Sequence, residues 1–155
     1  DRRDTDNFIV VGAPSSRGKS TLMRQMVWWN LVGHTDWNIP VFVLEGGGSK
    51  YLHHMACGAA KVPNKKHHEW LMGEISKGAE HGAKANAKVK KYFEYLEFLR
   101  GQLNKRLFIF EKDRVIDDIV SRCRELEARL GRLDLLVVDY LQLVSGDGGA
   151  RALAR

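Results

Sequence analysis

A glycine-rich segment near the start of the chain has the residue types that bind phosphate groups. The segment comprises Ala13, Pro14, Ser15, Ser16, Arg17, Gly18, Lys19, Ser20 and Thr21. It fits the phosphate-binding loop pattern GxxxxGK[ST], except that alanine replaces the first glycine. In such a loop the backbone N–H groups and the positive N-terminal end of the following helix face phosphate oxygens. We therefore predict a nucleotide cradle here, against the alternative of a glycine-rich turn with a solvated lysine.

Four residues of this segment have separate roles in the predicted cradle. Gly18 leaves room for the backbone to approach a phosphate closely. Lys19 supplies a positive charge between the β and γ phosphates, and the Ser20 hydroxyl is the usual ligand of Mg²⁺ in loops of this kind. Thr21 is expected near the α phosphate.

Two carboxylates follow apolar runs that are typical of buried strands. Asp139 follows Leu135 to Val138, and Glu45 follows Val41 to Leu44. Open α/β sheets bind ligands at the carboxyl ends of their strands, so both side chains are expected beside the phosphate loop. Asp139 is predicted to support the metal ion, and Glu45 is predicted to polarise a water aimed at the γ phosphate. The alternative for Asp139 is an aspartate that starts a turn.

The pattern along the chain alternates strands with helices. Strands are predicted at residues 8–11, 41–44, 107–110 and 133–138, and helices at residues 19–33, over most of 49–103, and at 115–130. Glycines at 33 and 131 are predicted to end two of the helices. This order, with unbroken apolar strands, predicts an α/β fold with a mostly parallel sheet flanked by helices.

Composition limits the classes of protein to which the chain can belong. It has 155 residues, of which 44% are hydrophobic, so we expect one domain or part of one. The formal net charge of +6 suits a polyanionic partner. No apolar run is long enough to cross a bilayer, and we expect no membrane association.

Cysteine and histidine spacing predicts no metal-binding framework. Cys57 and Cys123 are the two cysteines, and they form no CxxC pair on which a disulfide framework or structural zinc site could be built. The adjacent pairs at 53–54 and 67–68 do not share a helix face, so we expect neither pair to chelate an ion. A reducing cytoplasm fits this cysteine usage.

Three segments in order along the chain resemble successive motifs of hexameric replicative helicases of the DnaB type. They are GAPSSRGKST at residues 12–21, VFVLE at 41–45 and LLVVDYLQL at 135–143. The run from Asp139 to Leu143 is the most specific of the three. Helicases of this type often have alanine at the first position of the loop, so Ala13 fits the resemblance. Leu107 to Glu111 and the helix after it are also similar, so the likeness covers most of residues 8–144.

The resemblance implies a RecA-like ATPase fold and ATP hydrolysis with Mg²⁺. It further implies a homo-oligomeric, hexameric ring that moves 5′–3′ on single-stranded DNA and unwinds DNA. A primase or a helicase loader would be a further partner. On matching positions, Lys19 and Ser20 would hold the phosphates and metal, Glu45 would activate water, and Asp139 would support Mg²⁺.

The resemblance also implies that residues 1–155 are a partial ATPase domain without a second domain. A later strand that ends in glutamine and a basic finger are expected in a longer polypeptide, and the fragment alone is expected to be inactive. Residues 61–102 depart most from the pattern. Two alternatives remain at this point: another RecA-like ATPase, such as a recombinase or clock-type assembly, and an assembly module that binds nucleotide without hydrolysing it.

Overall fold

Helices and strands alternate along most of the chain. The computed structural model describes residues 9–12, 14, 17–81 and 87–139. In chain order the elements are α1 (Lys19–Gly33), β1 (Ile39–Val43), α2 (Gly48–Ala60), α3 (His67–His81), α4 (Ala87–Gln102), β2 (Leu107–Phe110), α5 (Ile116–Leu130) and β3 (Val137–Asp139). The predicted α/β class is confirmed. None of the helices in these ranges is long and apolar enough to cross a bilayer.

The sheet is parallel, and β1 is its central strand. The described strands follow the order β2-β1-β3. Ile39 lies opposite Leu107 in β2, and Val41 lies opposite Val137 in β3. Every residue of β1 is buried, which is expected of a central parallel strand covered on both faces. The carboxyl ends of all three strands therefore meet at one edge.

Alternate residues of the central strand face two different helical layers. Ile39, Val41 and Val43 belong to a core cluster with buried residues of α1, α2 and α4. Phe42 belongs to a second cluster with Ile119 of α5. Because successive side chains of a strand point to opposite faces, α5 covers one face of the sheet and the other helices cover the opposite face.

Helix α4, from the segment that departs most from the resemblance, completes the larger helical layer. Helix α4 packs mainly against α2. Trp28 of α1 also makes edge-to-face contacts with Tyr95 and Phe98 of α4, at ring-centroid distances of 4.9 and 5.7 Å. Aromatic pairs in this geometry add stability beyond the area that they bury. Helix α4 is thus an integral part of the core.

The predicted helix ends are confirmed at both glycines. Helix α1 ends at Gly33, and α5 ends at Leu130. Gly131 follows with φ 83°, a left-handed conformation that favours glycine, and its N–H donates to the Glu127 carbonyl at 2.8 Å.

The strand predicted at residues 8–11 is wrong over its described part. Residues 9–12 lie in no strand, and Ile9 and Val10 are 69% and 68% exposed. A strand needs a neighbour for its backbone N–H and C=O groups. None of the described strands lies beside these residues, so their apolar composition alone does not produce a strand. Phe8 lies outside the described residues.

The strand predicted at residues 133–138 is shorter than expected and includes Asp139. Strand β3 begins only at Val137. Upstream, the Asp134 carboxylate accepts a hydrogen bond from the Asn38 backbone N–H at 2.8 Å, and the Asp134 N–H donates to the Asn38 carbonyl at 3.0 Å. Both backbone groups of Asn38 are therefore bonded to Asp134. They are not available to pair β1 with the residues just before Val137.

Helix α2 begins in close contact with the end of β2. The Gly48 N–H donates to Oε1 of Glu111 at 2.7 Å, so a carboxylate lies at the positive end of the helix. A Cβ atom added at Gly48 would lie 2.6 Å from Oε1 of Glu111 and 2.8 Å from Cγ2 of Ile109. The approach of α2 to the sheet therefore requires glycine at this position.

We predict that Gly48→Ala destabilises the protein, whereas Gly58→Ala in the same helix does not. The Gly48 substitution should lower the free energy of unfolding by about 1–3 kcal/mol because it overpacks the contact with β2. An added Cβ at Gly58 meets no atom within 4 Å, so alanine should stabilise α2 by up to about 1 kcal/mol. Urea denaturation of both variants measures the difference, and equal effects would contradict the close approach.

Candidate nucleotide-binding site

The first turn of α1 is hydrogen bonded to the end of β3. The Ser20 hydroxyl donates to Oδ1 of Asp139 at 2.8 Å, although the two residues are 119 positions apart in sequence. The Asp139 residue is only 6% exposed. A buried carboxylate needs such a partner because leaving it unsatisfied is costly. The structure therefore brings together the two predicted metal-binding residues.

Local backbone geometry places Ser20 at the start of the helix. Gly18 precedes α1 with φ 89°, in the left-handed region that glycine adopts without strain. Its carbonyl accepts a hydrogen bond from the Leu22 N–H at 2.9 Å, so helical bonding begins immediately after the loop. Ser20 then lies in the first turn, where the N–H groups lack partners within the helix.

The described part of the predicted phosphate loop folds back on itself. Nζ of Lys19 donates to the Pro14 carbonyl at 3.2 Å. Nη2 of Arg24 donates to Oγ1 of Thr21 at 3.4 Å. The expected position of Thr21 near an α phosphate stays a prediction. Arg17 is exposed. The predictions for three further loop residues fall outside the described ranges: Ala13, Ser15 and Ser16.

Glu45 lies at the rim of a cleft that also contains Ser20 and Asp139. It is the second residue after β1, and it is exposed. Gly46 and Gly47 come next, with φ of 83° and 78°, and turn the chain into α2. The cleft has a volume of about 240 Å³ and is lined by Ser20, Arg24, Glu45, Gly46, Gly47, Lys50, Tyr51, His54 and Asp139. The predicted carboxylates and the predicted serine thus share one site.

The cleft also contains side chains that the sequence motifs did not indicate. Arg24 lies one turn after Ser20 on α1, and its guanidinium lies over the Tyr51 ring, 5.7 Å from the centroid. Lys50, Tyr51 and His54 come from one face of α2. Positions 50 and 51 lie four and three residues before position 54, which is the spacing of neighbours on one helix face. This spacing was the feature of the sequence that could have indicated them. The cleft therefore carries two cations, Arg24 and Lys50, in addition to its two carboxylates.

Burial shifts the pKa values of two side chains that line the cleft. Burial raises the pKa of Tyr51 well above its usual range, with a smaller contribution from the negative charge of Asp139. The Tyr51 hydroxyl is buried and has no hydrogen-bond partner among the described residues. Burial, followed by the nearby charge of Arg24, lowers the pKa of His54 to about 4. Both side chains are therefore neutral at neutral pH.

The oxygen atoms of the site fit a magnesium ion. Mg²⁺ prefers carboxylate, hydroxyl and phosphate oxygens, and it is usually bound through one or two protein side chains together with substrate phosphates. The Ser20 hydroxyl and the Asp139 carboxylate are such donors, and they lie 2.8 Å apart. These two residues would hold the ion between the start of α1 and the end of β3.

A larger cavity lies between α1, α2 and α4 and has a different character. Its volume is about 930 Å³, and aromatic and aliphatic side chains, including Trp28, Tyr95 and Phe98, form much of its lining. It contains neither Glu45 nor Asp139. The two predicted carboxylates therefore line the smaller cleft, at the carboxyl ends of the strands, and not the larger cavity.

Comparison with known proteins extends the likeness over almost the whole chain. Residues 3–154 match the family described as DnaB-like helicase C terminal domain. The chain is also 22% identical over 147 residues to the replicative DNA helicase DnaC of Bacillus subtilis (strain 168). That alignment covers 94% of this chain and 29% of the relative, so the chain spans less than a third of that protein's length. With its parallel sheet, flanking helices and family match, the chain belongs to the DnaB-like helicase C-terminal domain family, whose fold is RecA-like.

Proposed function

We propose that the chain is part of a RecA-like ATPase domain that binds and hydrolyses ATP with Mg²⁺. Within a longer protein, this activity would drive 5′–3′ translocation on single-stranded DNA and DNA unwinding by a replicative helicase. The observation that carries the proposal is the 2.8 Å hydrogen bond between Ser20 and Asp139. It joins two residues predicted for one nucleotide site from motifs at opposite ends of the chain.

The start of α1 would bind the phosphates. Its first N–H groups have no partners within the helix, and the helix dipole favours negative charge at this end. Lys19 would exchange its bond to the Pro14 carbonyl for the β and γ phosphate oxygens, which are stronger acceptors because they are charged. Arg24 and Lys50 lie in the same cleft and would add positive charge.

Ser20 and Asp139 would hold magnesium against the phosphates. When bound, Mg²⁺ would neutralise charge on the phosphate oxygens of ATP. The hydrogen bond between Ser20 and Asp139 fixes both side chains in the region where the ion would lie. Preorganisation of this kind supports binding because less conformational entropy is lost when the ligand arrives.

Glu45 would act as the general base of hydrolysis. It follows β1, which is hydrogen bonded in parallel to the strand that ends in Asp139. A carboxylate at this edge can accept a proton from a water that attacks the γ phosphate. The exposure of Glu45 keeps it in contact with the solvent that supplies this water.

Single-stranded DNA and a hexameric ring are proposed for the longer protein. The formal net charge of +6 suits contact with a polyanion, although the charge does not identify the contacting residues. The relative from Bacillus subtilis is described as a replicative DNA helicase, which supports a helicase function for the longer protein. A primase or a helicase loader is a further proposed partner.

A nucleotide-binding assembly module is the second candidate function. It would bind ATP at the same cleft without hydrolysing it. The observation that favours it is the position of Glu45 at an exposed rim, where the described residues give its carboxylate no hydrogen bond to hold it in place for catalysis. Lys19→Ala should weaken nucleotide binding under both functions and does not distinguish them.

We predict that Glu45→Gln abolishes most ATP hydrolysis and leaves ATP binding unchanged. A glutamine cannot accept the proton, and loss of general-base catalysis lowers the turnover number by about 10²–10⁴-fold. ATPase assays and titration with a fluorescent ATP analogue measure the two properties separately. They should be made with the ring-forming full-length protein.

Glu69→Gln is the matched control because Glu69 is an exposed glutamate on α3, away from the cleft. Its turnover number and nucleotide affinity should equal those of the wild type. If Glu45→Gln hydrolyses ATP at the wild-type rate, the motor function is wrong and the assembly module is favoured.

We further predict that single-stranded DNA stimulates ATP hydrolysis by the ring-forming full-length protein. The DNA affinity should fall steeply with salt concentration because each phosphate contact releases counterions. ATPase rates with and without DNA, and DNA binding across a salt series, are the measurements. Equal ATPase rates with and without DNA would contradict translocation on single-stranded DNA.

A further inference from the structure

Three potential metal ligands meet on the side of α2 that faces α3. His53 and Cys57 lie four positions apart on α2, and His67 is the first residue of α3. Their ligand atoms all lie within 4.8 Å of one another. We refer to these three residues as the His–Cys–His cluster. It is separate from the Ser20, Glu45 and Asp139 site and takes no part in the proposed ATP chemistry.

The sulfur-to-nitrogen distances within the cluster match those around a tetrahedral metal ion. Sγ of Cys57 is 3.6 Å from Nε2 of His53 and 3.6 Å from Nδ1 of His67. Zinc bonds of about 2.3 Å to sulfur and about 2.05 Å to nitrogen, at the tetrahedral angle, separate sulfur and nitrogen by roughly 3.5 Å. Cys57 thus lies at the distance from both imidazoles that a single ion requires.

Hydrogen bonding within the cluster leaves one buried polar atom without a partner among the described residues. A thiol has one hydrogen and can donate to only one of the two imidazoles at a time. Nε2 of His67 is buried and has no partner among the described residues. Nδ1 of His67 lies 3.1 Å from the Pro63 carbonyl, a contact that ion binding would exchange for a metal bond. One nitrogen of His67 thus has no partner among the described residues, and the other has a contact that an ion could displace.

Tyr92 positions His53 for metal binding. Its hydroxyl lies 2.8 Å from Nδ1 of His53, which leaves Nε2 as the nitrogen that faces Cys57. Metal-binding histidines commonly use one ring nitrogen for the ion and donate from the other to an outer partner. Tyr92 is buried on α4, so three helices converge at the cluster.

An ion can reach the cluster from solvent. Cys57 is itself 1% exposed, but it lines the cavity of about 930 Å³, together with Lys61, Val62 and Pro63 of the loop between α2 and α3. His53 and His67 are half-buried. The cluster thus combines a buried sulfur with an open approach, as an exchangeable metal site requires.

We propose that His53, Cys57 and His67 bind one divalent ion of the zinc class, with water in the fourth coordination position. Sulfur and imidazole ligands favour zinc over magnesium or calcium. Binding would join the sulfur and two nitrogens to the ion and release the thiol proton to solvent. The ion would clamp α3 to α2, the helix that begins beside the nucleotide cleft.

Cobalt(II) is the probe for this site because zinc has no visible absorption. Titration of the reduced, metal-free protein should produce a thiolate-to-cobalt charge-transfer band and strong d–d bands that saturate at one cobalt per chain. Added zinc should abolish these bands and raise the melting temperature. Absence of the charge-transfer band in the wild type, or saturation at one cobalt per two chains, would overturn the proposal.

Matched variants assign the ligands. The charge-transfer band should be lost in Cys57→Ala and retained in Cys123→Ala, since Cys123 lies on α5. Cobalt affinity should fall at least tenfold in His67→Ala and stay unchanged in His68→Ala, which removes an exposed neighbour. Tyr92→Phe should weaken binding by about tenfold while keeping the band.

The reverse pattern of ligands would contradict the proposed site. Retention of the band in Cys57→Ala, or equal affinities of His67→Ala and His68→Ala, would be such a pattern. Circular dichroism checks that each variant is folded. If Cys57→Ala does not fold, the pair at 67 and 68 decides the outcome, because His67 lies at a helix start and is only half-buried.

Discussion

The parallel pairing of β1 with β3 is the constraint on which the cleft depends. Phe42 lies opposite Val138, and Val43 lies opposite Asp139. Since parallel strands point their carboxyl ends in the same direction, the residues that follow β1 and end β3 lie at one edge of the sheet. Helix α1 packs against β3 and starts at this edge. Ser20 can therefore reach Asp139, and Glu45 joins them.

Much of this arrangement was predictable from local patterns. The apolar runs at residues 41–44 and 107–110 have the length of buried strands. Each is followed by a charged residue, which marks the end of the run and so indicates a strand. Gly131 indicated the end of α5 because only glycine adopts its left-handed conformation easily. The motif residues Ser20 and Asp139 were also identifiable, since each follows from a strand or loop pattern with a known chemical role.

Long-range contacts explain what the sequence patterns missed. Ile9 and Val10 have strand-forming composition, but a strand also needs a partner, which composition does not reveal. The spacing of adjacent histidines did not indicate the His–Cys–His cluster. The cluster combines an i,i+4 pair on one helix with a residue of the next helix, and only the fold brings these together. The roles of Glu45 and of the loop residues outside the described ranges stay predictions.

The central claim is that Ser20 and Asp139 together hold magnesium against ATP. The most direct test is the Mg²⁺-dependent part of ATP affinity in the wild type, Ser20→Ala, Asp139→Asn and the double variant. If one ion is shared, each single substitution removes most of the Mg²⁺-dependent gain in ATP affinity. The double variant then loses little more, because the effects of substitutions at coupled residues do not add. Independent, additive losses, or unchanged magnesium dependence in the single variants, would contradict the account.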